Sequence, residues 1–266
     1  MSDLVPSYLL KIERAVEHLD EFKRLFADYA NSHPYTVASS REDKKQIHRL
    51  HFTRQIDLRA EMIAADFIYN IRSGLDHLAA ALNPPSMRSH VAFPIHWQGV
   101  WEPDVLGENS ERRKARERWS TSTRDMKSGA VAVLKKLQPP ENGRNADGDI
   151  HFLKALNGLS NRDRHSQLPL MSVGLASSTA RWKLPDGSIR SGADQRHWGM
   201  VRDDAELDLP DGAMDVEISG TPKIAIRAFG AEGDVEVPQY FERLVSNVRE
   251  LVFVPLYPFI CAAGRR

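Results

Sequence analysis

Asp66, Asn70, Ser73 and His77 recur at i, i+4, i+7 and i+11 in a stretch otherwise rich in aliphatic side chains. Wound on a helix, they and Arg59 fall within roughly 60° of one another and border the apolar face. An imidazole in line with a carboxylate, an amide and a hydroxyl is acid/base equipment, because its neighbours fix its tautomer or hold it protonated. The same line serves equally well as a polar seam between packed helices. A second cluster follows at Asn161 and His165, which share one face at i, i+4, while Asp163 extends the apolar line of Phe152, Leu156 and Leu159. Arg162 and Arg164 flank Asp163 and favour its ionised form. Cations in a last helical turn also suit the helix dipole, which is a purely capping role. The third group is a basic run: nine Lys or Arg stand against three Asp or Glu between Glu111 and Lys136. Arg112, Arg113, Lys114, Arg116 and Arg118 form its densest part, suited to phosphate binding or to a solvated helix face.

These residues need elements to hold them. Apolar residues from Leu9 to Tyr29 recur at helical spacing and predict a helix over 8–31. Pro34 and the polar residues around it predict a loop over 33–45, followed by a long helix that starts near Lys44 or Thr53 and ends at Leu82, where Asn83-Pro84-Pro85 stops it. On that helix Ile56, Ala60, Ile63, Phe67, Ile71, Gly74, Leu75, Leu78 and Leu82 form the core-facing stripe. Gly74 in mid-helix costs roughly 1 kcal/mol relative to Ala and predicts a close helix crossing. Residues 86–110 read as an irregular packed connection, 111–137 as one basic helix and 150–164 as another helix. After Leu168 the period changes to alternating and β-branched runs at 170–175, 179–184, 214–218 and 223–229, separated by Pro/Asp/Gly turns. A last helix over 238–254 carries Pro238 in its first turn. The expectation is an α+β protein: a helical body over 1–167, a β-rich insertion with a small antiparallel sheet over 168–237, and a C-terminal helix over 238–266 that returns to the body, all in one compact domain.

Composition narrows the function classes. Lys plus Arg and Asp plus Glu are both 36, so attraction to nucleic acid must be local rather than global. Cys261 is the single cysteine, which excludes an intramolecular disulfide and a multi-thiolate metal site and points to a reducing cytoplasm. The N-terminal residues read as a capped amphipathic helix rather than a signal peptide. The apolar stretch Leu251 to Ala263 is shorter than a bilayer span and interrupted by Pro255 and Pro258, so no membrane segment is expected. His48 and His51, at i, i+3, could ligate a metal with Asp66 or Asp76, but no histidine motif of a metal site falls on an expected helix. Phosphate-loop, serine-elbow and catalytic-cysteine patterns are also missing, and no metal or cofactor is expected.

Four pieces occur in order: Asn70-Ile71-Arg72-Ser73-Gly74-Leu75-Asp76-His77-Leu78, Phe93-Pro94-Ile95, Leu137-Gln138-Pro139 and Leu159-Ser160-Asn161-Arg162-Asp163-Arg164-His165. On these the chain resembles a widespread family of uncharacterised bacterial and phage proteins, in which the last piece more often reads Asn-x-Asp-Lys-His. That resemblance carries no activity. Arg72 and His77, with four residues between them, also resemble the signature of the HEPN nucleases, small helical proteins. The resemblance implies a metal-independent RNA-cleaving or RNA-binding site formed where two subunits meet. His77 would be its acid/base, Arg72, Asn70 and Asp76 would support it, Asn161, Asp163 and His165 would form the facing wall, and Asp66 and Ser73 would add to the supporting wall. Positions five apart on a straight helix lie about 140° apart, so a distorted helix or a homodimer is needed to aim both at one phosphate. The competing reading is a non-catalytic interaction protein whose polar clusters are structural.

Overall fold

A computed structural model describes residues 6–42, 45–102, 110–165, 170–193, 203–226 and 235–260. The fold is α+β, with helices, two small antiparallel sheets, and one sheet placed before the C-terminal helix. The chain divides into two compact units: residues 1–19, 64–167 and 241–266 form the first, and residues 20–63 and 168–240 the second. Residues 20–63 thus group with the β-rich part rather than with the rest of 1–167.

The first unit is helical. Helix α1 (Ser7–Asn31) and helix α2 (Leu58–Leu82) each contribute residues to both units. The core-facing stripe of α2 is buried as the spacing predicts, with Phe67, Ile71, Leu75, Leu78 and Leu82 all at 0% exposure. At Gly74 the close neighbour is a side chain of α1: a Cβ there would lie 3.0 Å from Ile12 Cδ1. Asn83 ends α2, fully buried, with its amide donating to Ala79 O and Ser122 O. A short 3-10 turn follows at Pro85–His90.

The single basic helix expected over 111–137 is two, α3 (Ser110–Thr123) and α4 (Ser128–Leu137). The physical reason lies in the junction. Thr121 and Thr123 turn their hydroxyls back on the carbonyls of Glu117 and Trp119, a bonding that weakens a helix. Gly129 in the first turn of α4 leaves room for the Phe259 ring, which a Cβ would overlap. Helix α5 (Phe152–His165) buries Leu153, Leu156 and Leu159.

The C-terminal helix runs further than 254. Helix α6 (Gln239–Asn247) continues through a π-helical turn at Val248–Phe253 into Val254–Leu256 and a 3-10 turn at Tyr257–Phe259. Pro255 has no N–H to return to the preceding turn, and the widened turn, in which Val254 N–H reaches Arg249 O, precedes it. Phe241 stacks on Phe67 at 4.2 Å between centroids, and Phe253 meets Tyr8 edge-on. No helix among the described residues is long and apolar enough to cross a membrane.

The second unit holds both sheets. Strands β1 (Tyr35–Glu42) and β2 (Lys45–Phe52) pair as a hairpin where a loop and a helix start were expected. His48, Leu50 and Phe52 point inward and are buried at period 2. Strands β3 (Leu170–Lys183), β4 (Ile189–Ala193), β5 (Met214–Ile226) and β6 (Val235–Val237) form the other sheet in the order β4-β3-β5-β6. The expected runs at 170–175 and 179–184 fall in one bulged strand that ends at Lys183, and 214–218 and 223–226 belong to one continuous strand, β5, while 227–229 lie outside the described residues. Gly187 (φ 87°) closes the β3–β4 turn with its N–H on Leu184 O. Leu50, Phe52, Leu175 and Leu207 form the unit's core, with Tyr35, Val37 and Ile218 packed against it.

Candidate functional site

Two residues of α2 begin the site. Arg72 and Asp76 stand one turn apart and pair at 3.1 Å, with the guanidinium largely buried. Both reach the irregular segment after α2: Phe93 N–H donates to Asp76 Oδ1 (2.9 Å), and Arg72 Nη2 donates to Phe93 O (2.9 Å). The pair therefore gives one peptide the acceptor and donor that a neighbouring strand would supply. Gln138, the C-cap of α4 and 0% exposed, does the same further along. Its Nε2 donates to Pro94 O and Leu134 O, and its Oε1 accepts His96 N–H at 2.7 Å. Gln98 N–H then meets Pro139 O. Residues 93–97 have no regular structure, yet side chains from two sequence-distant pieces, Arg72 and Asp76 on α2 and Gln138 at the end of α4, satisfy their backbone.

Above this floor lies an open groove of about 940 Å³. Segment 92–97 and Arg72 form one side. Helix α3 forms the other with Glu111, Lys114, Glu117, Arg118 and Thr121, and α5 adds Asn157 and Asn161. Lys114 and Arg118 are one turn apart and exposed, and neither makes a hydrogen bond or ion pair to another described residue. Arg112 pairs with Glu141, and Arg116 donates to Glu102 O. Arg113 is exposed and is not part of the groove lining. Of the five, Arg112 and Arg116 thus have protein partners, Lys114 and Arg118 face the groove, and Arg113 does neither among the described residues. Glu111 and Glu117 share the wall, so its formal charges cancel and any attraction of an anion is local to Lys114 and Arg118.

His96 supplies the groove's imidazole. Burial, reinforced by the guanidiniums of Arg118 and Arg72, pushes its pKa down to about 4. The ring is neutral at pH 7, with Trp97 and Trp119 edge-on to it. The sequence motifs miss His96, Trp97 and Asn157, which line the groove. His96 follows Phe93-Pro94-Ile95 directly, and Asn157 stands one turn before Asn161, so adjacency to those pieces is the signal that could have found them.

The remaining expected site residues lie elsewhere. His77 Nδ1 faces Ser7 Oγ at 2.9 Å. Asn70 is buried and bonds the carbonyl of Asp66 one turn back, and the Asp66 side chain is exposed. Arg59 is paired with Glu21, and Ser73 is half-buried. The line Asp66, Asn70, Ser73, His77 is therefore not joined side chain to side chain, and Arg72 and His77 are directed to different partners. The side chains of Asp163 and His165 lie outside the described residues. His48 and His51, set together by helical spacing, fall on opposite faces of β2.

No family model, no curated protein and no solved structure matches this chain. The functional reading therefore rests on the groove. Its lining unites Arg72, the Phe93-Pro94-Ile95 piece and Asn161, with Gln138 beneath, so each of the four pieces that occur in order along the sequence contributes to one place.

Proposed function

We propose that the groove between α3 and residues 92–97 binds single-stranded RNA. The observation that carries this reading is the pair Lys114 and Arg118, exposed and without a hydrogen-bond or ion-pair partner among the described residues, opposite a floor formed by Arg72, Asp76 and Gln138. Two cations one helical turn apart suit successive phosphates. The rings of His96 and Trp97 offer faces to bases, and the amides of Asn157 and Asn161 offer donors and acceptors to base edges. The nearby glutamates and the neutral total charge make this a local, modest-affinity site rather than a polymer-coating surface.

The likeness to HEPN nucleases would add cleavage, with His77 as acid/base. In one copy of the chain His77 is held at Ser7 and Arg72 at Phe93, so a cleaving site needs a homodimer to bring the two together. Fluorescence anisotropy with a labelled RNA oligonucleotide tests the binding reading. Lys114→Ala/Arg118→Ala is expected to bind about tenfold or more weakly than wild type, with an unchanged melting temperature. Electrophoresis of the same RNA in EDTA reads cleavage separately. Equal affinity for both proteins would set the groove aside and favour an interaction protein with structural polar clusters.

A further inference from the structure

The second unit contains a serine and a histidine that no part of the groove uses. Ser39 and His48 stand directly opposite each other in the β1–β2 register, so their side chains share the face that carries Val37, Leu50 and Phe52 into the core. His48 is 3% exposed, and Ser39 lies at the solvent edge of that face. His48 Nε2 is 3.0 Å from Ala213 O, and its Nδ1 is 2.8 Å from Ser39 Oγ.

Hydrogen bonding fixes the tautomer. A carbonyl oxygen only accepts, so Nε2 carries the proton, and Nδ1 presents a lone pair that must accept the Ser39 O–H. The serine proton is thus already directed at a base whose far side is anchored by backbone. Ser39 also opens on a cavity of about 720 Å³ lined with Ser40, Arg41, Lys45, Gln46 and Asp211. Arg41 and Gln46 form the next register pair on the same face and bring N–H donors to the lining of the same cavity. Neighbouring Ser40 has no imidazole partner; its hydroxyl donates to Glu42.

We propose that Ser39 is a nucleophile activated by His48, acting on small carboxylic esters. In the first step Ser39 Oγ bonds to the ester carbonyl carbon while its proton passes to His48 Nδ1. Arg41 and Gln46 face the developing oxyanion, and the ester C–O bond breaks as the alcohol leaves with that proton. Water then attacks the acyl-serine, gives one proton to His48 Nδ1, and releases the carboxylic acid as the proton returns to Ser39 Oγ.

An alkyl fluorophosphonate, followed by peptide mass mapping, reads the first step directly, because Oγ–P forms as fluoride leaves. The expected result is an adduct on Ser39 in the folded full-length protein, at least about 100-fold faster than on Ser40. His48→Gln keeps a donor for Ala213 O and removes the base. It should keep its circular dichroism spectrum while labelling Ser39 about 100-fold more slowly and losing hydrolysis of 4-nitrophenyl acetate. No adduct on Ser39, equal labelling of Ser39 and Ser40, or undiminished labelling in folded His48→Gln would each overturn the proposal and leave Ser39 as a hydrogen-bond partner that completes a buried histidine.

Discussion

The floor and the wall of the groove are both polar, yet they use polarity in opposite ways. On the floor Arg72, Asp76 and Gln138 bond backbone groups of residues 93–96. On the wall Lys114 and Arg118 have no described partner. A polar side chain that satisfies buried backbone is structural whatever its chemical type, and one that is left facing solvent in a concave site is available to a ligand. Arg72 shows why residue type alone misleads: the guanidinium that suits a scissile phosphate is the one that holds the Phe93 carbonyl.

The comparison is sharpened most by removing Gln138. Gln138→Leu keeps bulk but leaves Pro94 O and His96 N–H without side-chain partners, which should cost about 3 kcal/mol in urea unfolding. A loss under about 1 kcal/mol would show that the segment is held by other means. Asp76→Ala should cost about 2 kcal/mol by taking the acceptor from Phe93 N–H, whereas Asp76→Asn, which retains an acceptor oxygen, should cost under about 1 kcal/mol. Equal losses in the two variants would mean that the charge on Arg72, rather than the Phe93 peptide, is what Asp76 serves.

A smaller effect is expected from His96. Its folded-state pKa of about 4 lies below the ordinary 6.5, so between those values the unfolded chain takes up a proton that the folded chain refuses. Stability from this ring is complete at pH 7, falls as pH drops through 6.5 towards 4, and changes no further below that. Allowing for the ring's partial exposure, the contribution is about 1 kcal/mol. His96→Gln should flatten urea-unfolding free energy over that range, although His151, shifted down by burial, leaves some slope. An unchanged profile would mean that neither burial nor the nearby Arg118 and Arg72 lowers the His96 pKa. Smallest of all, Lys114→Ala and Arg118→Ala should each alter stability by less than about 0.5 kcal/mol, since neither bonds another described residue.

How much of this was legible varied with the range of the interactions. The α2 stripe was readable because one apolar face recurs at helical spacing and is buried throughout. The β1–β2 hairpin was not, because its inward positions include His48, a polar residue that interrupts an alternating pattern otherwise carried by Leu50 and Phe52. The break between α3 and α4 depended on threonine hydroxyls and on Phe259, far along the chain. The clamp on residue 93 could be read only in part: Arg72 and Asp76 are visibly i, i+4, but nothing local announces that their shared partner is a peptide 17 residues beyond Asp76. The cations of the wall were named from charge density alone, and only the helix's orientation separates Lys114 and Arg118 from Arg112 and Arg116.

The most direct test is the salt dependence of single-stranded RNA affinity for wild type and Lys114→Ala/Arg118→Ala. Two phosphate contacts predict a slope of log K against log salt of about −1.4 for wild type and close to zero for the double variant. The same slope and affinity in both proteins would contradict the assignment of the groove wall as the binding surface.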